Sequence, residues 1–241
     1  MEPASSIAGT VLILGSAPEA AAARDWPRAP FDAIVAINNA WRIRADWDYL
    51  IHPEDFPEAR RPTRLAPGQY IVTAADYVEV QNRYGGFVYA GGTMAFTAGY
   101  WTLGALRPRV LAFYGCNMVY APTGKTHFYG TGTADPLRAD VTLRSLEAKS
   151  ARLAVLAADQ GCRCVNLSDA ESRLVFPRAT PDALPGLALH PTRAEAVQAA
   201  KAREAALGYV VPSGRYWLEE GRFDRDAIDA LDALWLRAWN G

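Results

Sequence analysis

Cysteine and histidine are scarce in this chain. Its 241 residues include three cysteines, Cys116, Cys162 and Cys164, and three histidines. An odd number of cysteines that includes a Cys-x-Cys pair has the spacing of neither a disulfide framework nor a zinc site. We therefore expect three small buried thiols, because free cysteine usually packs like a small apolar residue.

Long apolar runs and a surplus of one charge are also lacking. No apolar run approaches the roughly 20 residues that span a bilayer, and the first ten residues are small and polar, unlike a signal peptide. The formal net charge is −1, so nothing indicates nucleic acid or a membrane surface as a partner. Short basic pairs such as Arg60-Arg61 are expected to be solvated surface. Together these absences predict a soluble, cytoplasmic protein.

What the sequence does contain is an alternation of short apolar runs with longer helical segments. The apolar runs predict six strands, at residues 10–14, 31–37, 47–51, 70–74, 109–114 and 162–167. The helical segments lie at residues 19–24, within 91–106, and at 137–160, 192–207 and 224–239. Thr192 and Glu195 predict a capping box at the start of the helix over 192–207. This order predicts a single α/β domain with a mostly parallel sheet, helices on both faces and a C-terminal helical extension. Residues 1–170 are expected to hold the sheet, with a connector and helices over 171–241 packed on it.

Ligands of such sheets lie beyond the carboxyl ends of the strands, so the residues there are the candidates for a site. Gly15, Ser16 and Pro18 follow the first strand, where free N–H groups at a helix start suit a phosphate. With a single glycine this stretch matches no dinucleotide or P-loop motif, and a plain turn explains it equally well. Asn38 and Asn39 follow the second strand, as turn residues or as amides that bind a base edge or a sugar hydroxyl.

Further polar residues follow the later strands. The group His52, Glu54 and Asp55 offers metal or acid–base chemistry, although we favour a surface turn. The other candidates are the glycine turn with Gly92 and Thr93 before a helix, Gly115 and Asn117 after the fifth strand, Tyr120, and a Gly/Thr-rich loop over 121–136 that carries Lys125, His127, Tyr129 and Thr131. A loop of this length inside a compact pattern is more often functional than idle.

The order of these motifs resembles a known family. The sequence runs through "GSAPE", "INNAW", "GGTMAFTAGYWTLGAL", "FYGCNMVY", a His/Tyr loop, a long helix and "CVNLSD". It is similar, over about residues 9–170, to the bacterial lipo-oligosaccharide sialyltransferases, and also to the related MptE-type pterin diphosphokinases. The resemblance implies a Rossmann-like nucleotide-binding domain that uses a CMP-activated sugar without a metal.

The resemblance also implies nucleotide contacts. Gly15, Ser16 and Pro18 match the family's glycine turn near the nucleotide, and Asn38 or Asn39 matches its asparagine that contacts nucleotide and sugar. Gly92 and Thr93 match the turn that lies along the nucleotide. Gly115 and Asn117 match a Gly-x-Asp motif, with asparagine in place of the aspartate.

The resemblance further implies catalytic roles for residues in and near the loop over 121–136. His127 is the histidine nearest to the family's catalytic base, although a strict alignment on the loop glycine places Thr131 there. Tyr120 and Tyr129 loosely match two tyrosines that stabilise the departing phosphate, and Lys125 adds a positive charge. The CMP-sugar is then the donor substrate, no separate cofactor is expected, and the partner is a glycan acceptor.

Other functions stay open at this point. One is a Mg-ATP-dependent diphosphokinase with Glu54, Asp55 and Asp135 as metal ligands. Another is a nucleotide-binding module without catalysis, which would follow if His127 faces away from the crevice. A homo-oligomer is also open, because Trp235 and Trp239 share a face of the last helix. For these two tryptophans we favour core packing.

Overall fold

A computed structural model of the protein describes residues 9–132 and 139–239. One sheet of six parallel strands forms its centre. The strands are β1 (Thr10–Leu14), β2 (Ala33–Ile37), β3 (Tyr49–Ile51), β4 (Tyr70–Val72), β5 (Val110–Tyr114) and β6 (Arg163–Asn166). The predicted α/β fold with a parallel sheet is confirmed, and each strand lies inside the run that predicted it.

Helices cover both faces of the sheet. The α-helices are α1 (Ala74–Arg83), α2 (Phe87–Ala90), α3 (Met94–Ala105), α4 (Leu146–Ala158), α5 (Ala194–Leu207) and α6 (Arg225–Trp239). Alternate side chains of β1 point to opposite faces, so Val11 and Ile13 share a core with the α-helices. Leu12 and Leu14 share the other core with short 3-10 helices, among them Pro18–Asp25. In the part of the chain that the structure describes, no helix is both long enough and apolar enough to traverse a bilayer.

The strand order determines where the sheet opens to a ligand. Across the sheet the order is β4-β3-β2-β1-β5-β6, and Ile13 of β1 pairs with Val35 on one side and Phe113 on the other. The chain builds outward from β1 to β4 and then returns to place β5 against the other side of β1. The strand order therefore reverses between β1 and β5, which is where open α/β sheets bind their ligands.

The C-terminal helices belong to the same core as the sheet. α6 packs against both α4 and α5. Lys149 and Asp232 form a buried ion pair of 2.8 Å between α4 and α6. Arg152 of α4 pairs with Glu204 of α5 at 2.6 Å, and Trp235 Nε1 of α6 donates to the same carboxylate at 2.8 Å. These bonds fix the C-terminal extension to the helix that covers the sheet.

Several helix starts differ from prediction. The helix expected from residue 137 begins only at Leu146, because the Ser145 hydroxyl accepts a bond from Ala148 N at 3.2 Å and caps it there. The predicted Thr192–Glu195 capping box is wrong, since α5 begins after Arg193 without a side-chain cap.

α1 and α2 were not predicted at all. The sequence did contain a signal for α1, because Thr73 N donates to Asp76 Oδ2 at 2.9 Å across the first turn. The predicted fourth strand ran to Ala74 and so covered this start.

Candidate functional site

A crevice of about 290 Å³ opens beyond the carboxyl ends of β1, β2, β3 and β5. It lies at the point where the strand order reverses. The predicted site residues that line it are Gly15, Ser16, Asn38, Asn39, Thr93, Gly115, Tyr120, His127 and Tyr129. The parallel strands thus bring together residues that lie more than a hundred positions apart in the sequence.

The glycine turn after β1 is shaped by the sheet itself. A Cβ atom on Gly15 would lie 2.2 Å from the carbonyl oxygen of Gly115, and one on Gly115 would lie 2.6 Å from Cβ of Ala20. Gly15 N donates to Tyr114 O at 2.8 Å, and Ala17 N donates to Gly115 O at 3.0 Å. Close contact between the ends of β1 and β5 therefore requires these glycines, and two backbone N–H groups of the turn are already bonded within the protein.

The two asparagines after β2 carry unsatisfied acceptors. Asn38 has a φ of +52°, in the left-handed region that asparagine tolerates better than most residues. Asn39 is buried, and among the described residues neither Asn38 Oδ1 nor Asn39 Oδ1 has a hydrogen-bond partner. Buried polar atoms in native proteins nearly always have a partner. These two oxygens can accept bonds from an amino or hydroxyl group of a ligand.

The loop that carries His127 is bonded to the turn after β1. Phe128 N donates to Ser16 O at 3.0 Å. His127 and Gly130 exchange backbone hydrogen bonds of 2.9 and 3.1 Å, which closes a tight turn. The loop thereby places His127 in the wall of the crevice.

The imidazole of His127 is held in one orientation by its neighbour. Its Nδ1 lies 2.8 Å from Thr126 Oγ1, which also accepts from Gly132 N at 3.0 Å and lies 3.3 Å from Gly132 O. All three contacts are satisfied if the hydroxyl donates to Gly132 O and Nδ1–H donates to the hydroxyl oxygen, which leaves Nε2 as the basic nitrogen.

The surroundings of this ring favour its neutral form. Only 8% of His127 is exposed, and burial lowers the pKa of its imidazole below 6.5. The ring of Tyr129 stacks on it at 4.9 Å, and that of Tyr120 lies 5.9 Å away. His127 is therefore neutral at pH 7, as a general base must be.

Arg60 is a crevice residue that the sequence analysis missed. It is exposed, as expected, but it also lines the crevice, and it is the only arginine or lysine among the described lining residues. Its backbone is held by Trp41 Nε1, which donates to Arg60 O at 2.9 Å. No hydrogen bond or ion pair of its guanidinium is found within residues 9–132 and 139–239. The only signal in the sequence was its position after β3, close to Asp55, which lines the crevice as well.

Other predicted residues do not line this crevice. Pro18 starts the 3-10 helix over Pro18–Asp25. Gly92 donates its N–H to Thr142 Oγ1 at 3.1 Å and lines a neighbouring cavity. Lys125 is exposed, and Thr131 donates to Gly124 O at 2.9 Å in the outer part of the loop.

Asn117 is bound into a buried network instead. Its Nδ2 donates to Glu19 Oε1 and, at 2.9 Å, to Ser168 Oγ. Its Oδ1 accepts from Asn166 Nδ2 at 3.3 Å. The amide joins the carboxyl ends of β5 and β6 to the 3-10 helix after β1, and it is not among the residues of the crevice wall.

The acidic group after β3 is spread over different environments. His52 is buried, with Nδ1 2.8 Å from Pro53 O. Glu54 Oε2 lies 3.7 Å from Arg215 Nη2 on the surface. In the described ranges no three histidine, cysteine or carboxylate side chains are grouped as metal ligands. Asp135, the remaining candidate of that kind, lies outside the described residues.

Comparisons of this chain with protein-family models, with curated proteins and with solved structures found no significant match. The fold and the crevice themselves define the class: a Rossmann-like α/β protein with a polar site at the reversal of its strand order.

Proposed function

We propose that this protein is a glycosyltransferase that moves a sugar, sialic acid or a similar one, from a CMP-activated donor to a glycan hydroxyl without a metal. We base this on one feature of the crevice: a neutral histidine lines it together with a guanidinium and two asparagine oxygens that have no partner within residues 9–132 and 139–239. The order of motifs that resembles the sialyltransferases supports the same conclusion.

The charge of the crevice suits a donor with one phosphate. In a CMP-sugar the phosphate bridges two groups and carries a single negative charge. Arg60, the one cation in the described wall, can bind that phosphate through its guanidinium. A nucleoside triphosphate carries several more charges and calls for further cations or Mg²⁺. The Asn38 and Asn39 oxygens can accept from the cytosine amino group or from ribose hydroxyls.

The transfer then has a role for each group. His127 Nε2 takes the proton of the acceptor hydroxyl, and its oxygen forms a bond to the anomeric carbon of the donor sugar. The bond from that carbon to the phosphate oxygen breaks, and its electron pair leaves with CMP. Arg60 stabilises the charge on the departing phosphate, and the hydroxyls of Tyr120 and Tyr129 are the further donors for it. The products are CMP, the glycosylated acceptor and a proton held on His127.

A magnesium-dependent diphosphokinase is the second candidate. The observation in its favour is Asp55, a carboxylate in the crevice wall that could bind Mg²⁺ next to a nucleotide. Asp55 stands there without a second carboxylate among the described lining residues, and for this reason we place the candidate second.

Calorimetric titration tests the proposal. The protein is titrated with CMP, CDP, UDP, GDP and ATP, each with and without Mg²⁺. We expect CMP to bind tightest and independently of Mg²⁺. Arg60→Met should weaken CMP binding by about tenfold or more, as expected when a charge-assisted bond worth 1.5–3 kcal/mol is removed. Arg64→Met is the matched control, because Arg64 is exposed and does not line the crevice.

Three results would count against the transferase. Binding of ATP only with Mg²⁺ would favour the diphosphokinase. Binding of CMP with no release of CMP from CMP-sialic acid, in the presence of a glycan mixture, would favour a module without catalysis. No binding of any nucleotide would overturn every nucleotide-based function.

A further inference from the structure

A second and larger cavity adjoins the crevice. Its volume is about 490 Å³, and it shares Pro53, Asp55 and Met94 with the crevice wall. The two spaces therefore lie side by side at the end of β3 and the start of α3. The far wall of the second cavity comes from residues 213–217 and Glu220 in the C-terminal part of the chain.

Specific contacts hold that far wall in place. Tyr216 OH donates to Asp140 Oδ2 at 2.9 Å, and the Tyr216 ring stacks on Phe87 with 6.2 Å between centroids. Gly214 has a φ of +74°, and a Cβ there would lie 3.1 Å from Phe87 Cε2 and from Val78 Cγ2. A glycine thus lets the wall approach α1 and α2 closely.

The lining combines aromatic rings with carboxylates. Trp217 lies edge-on to Tyr216 at 5.4 Å and is 53% exposed, so much of its indole is available to a ligand. Burial, together with the carboxylates of Glu54 and Asp55, raises the pKa of Tyr77 to about 12. Its hydroxyl is a donor at neutral pH, as in any tyrosine. Aromatic faces bind apolar C–H surfaces, and carboxylates accept bonds from hydroxyl groups. A saccharide presents both kinds of group.

The second cavity is more acidic than the crevice, whose described wall carries one carboxylate, Asp55, and one cation, Arg60. Among the described residues, Glu54, Asp55, Asp140 and Glu220 line the second cavity, and the one lining cation there, Arg215, lies 3.7 Å from Glu54. A phosphate or the carboxylate of a donor sugar would be repelled here, whereas Arg60 attracts such a group in the crevice. An anionic group is therefore better placed in the crevice, and the second cavity suits a ligand without negative charge.

We propose that the second cavity is the acceptor subsite and that it binds a neutral saccharide against Trp217. This inference rests on the proposed transfer reaction and adds the acceptor class to it. The saccharide reaches the crevice past Asp55, where its reacting hydroxyl meets His127.

Binding to neutral oligosaccharides tests the inference. A panel of fluorescently labelled neutral, acidic and amino oligosaccharides is titrated with the protein in the presence of saturating CMP, and spermidine serves as a cationic probe. We expect a neutral oligosaccharide to bind. Trp217→Ala should weaken this binding at least about tenfold, because exposed tryptophan faces contribute strongly to recognition. Leu218→Ala is the matched control, since Leu218 is the neighbouring residue, is 72% exposed and does not line the cavity.

A second measurement separates this inference from the transfer reaction itself. In Trp217→Ala the KM for the saccharide should rise, while the affinity for CMP, which binds in the crevice, stays that of the wild type. If the wild type binds CMP but no neutral saccharide, or if only acidic or cationic probes bind, the inference is wrong and the transferase stands. If Trp217→Ala binds the saccharide like the wild type, the inference is also wrong. Failure of CMP to bind overturns the proposed function and the acceptor role with it.

Discussion

The chemistry proposed for His127 depends on the residues around it. The Thr126 hydroxyl fixes the ring through Nδ1, and burial keeps the imidazole neutral. The ring lies in the same wall as Tyr129 and Tyr120. An acid–base role needs a histidine that is oriented, unprotonated and within reach of the substrate. The hydrogen bond to Thr126 provides the first condition, and burial provides the second.

Replacing His127 should affect turnover more than binding. In His127→Asn the amide cannot accept the acceptor proton, so we expect kcat to fall by about 10²–10⁴, the usual contribution of a general base. The affinity for CMP should be unchanged. His190→Asn is the control, because His190 stacks on Trp239 at 3.6 Å, outside the crevice. Steady-state kinetics with CMP-sialic acid and a glycan acceptor give the comparison.

The pH dependence of kcat/KM provides a second test of the same role. Because burial lowers the pKa of His127, the acid limb of kcat/KM should lie at lower pH than for an ordinary histidine, and the rate should fall as pH falls through that lowered pKa. The acid limb should vanish from the residual activity of His127→Asn. A limb that persists unchanged in the variant would assign the titration to another group.

Gly15 should prove essential to the sheet. In Gly15→Ala the new Cβ meets the backbone carbonyl of Gly115, which cannot move away like a flexible side chain. We expect the free energy of unfolding to fall by about 1–3 kcal/mol or more, as for other overpacked sites. Urea denaturation measures the change. In Gly186→Ala, where nothing lies within 4 Å of the added Cβ, stability should barely change, and an equal loss there would refute the steric explanation.

Between helices, the ion pair of Lys149 and Asp232 joins α4 to α6, and both of its charged groups are buried. Lys149 is 1% and Asp232 5% exposed, and the described structure offers Asp232 Oδ2 no further hydrogen-bond partner. Removal from water opposes ionisation and raises the pKa of Asp232, although Lys149 counteracts this shift. Such a pair stabilises little relative to apolar residues, yet either partner left alone is costly.

The loss of stability in the double variant should therefore be smaller than the sum of the losses in the two single variants. Lys149→Leu or Asp232→Leu alone should cost about 3–5 kcal/mol of unfolding free energy, and the double variant should regain most of it. The matched control is the exposed pair of Arg144, just before α4, and Asp229 of α6. Removing one partner of this pair should change the free energy of unfolding by only about 0–1 kcal/mol. Urea denaturation of the four-member cycle checks this, and additive losses would contradict it.

The strands could be predicted from the sequence because each is a short apolar run that ends in a polar or glycine turn. Helix starts could be predicted less well, since they depend on which of several capping residues is used. Ser145 caps α4, whereas the more obvious pair of Thr192 and Glu195 caps nothing. Tertiary contacts decide between such local signals.

The crevice residues that directly follow a strand could be predicted from the sequence. His127 was found because it is a rare residue in a polar loop. Arg60 was missed because an exposed arginine in a charged stretch looks like ordinary surface, and only the fold shows that its segment borders the crevice. The network around Asn117 was invisible for the same reason, since its partners Glu19 and Ser168 are distant in the sequence.

For the protein as a whole, the three thiols report on global unfolding. Cys116, Cys162 and Cys164 are free and buried, as the sequence predicted, and burial raises the pKa of each, for Cys162 to about 12. The thiolate is the reactive form, so the folded protein should be nearly inert to a thiol reagent such as dithionitrobenzoate.

All three thiols should become reactive together in denaturant. Labelling followed through a urea titration should show the same midpoint as the loss of tryptophan fluorescence, because the cysteines lie within the shared core. The native protein without urea is the control. Rapid labelling of any one cysteine before that midpoint would indicate that part of the sheet opens separately.

The contact between Gly15 and Gly115 has a consequence for how this chain can diverge over time. The atom that excludes a side chain at position 15 belongs to the backbone, so no substitution at position 115 can compensate for it. Among descendants of this sequence, both glycines should persist even where the ligand has changed or been lost. Retention of Arg60 and Trp217, which the sheet does not need, would instead mark the lineages that still use the same substrates.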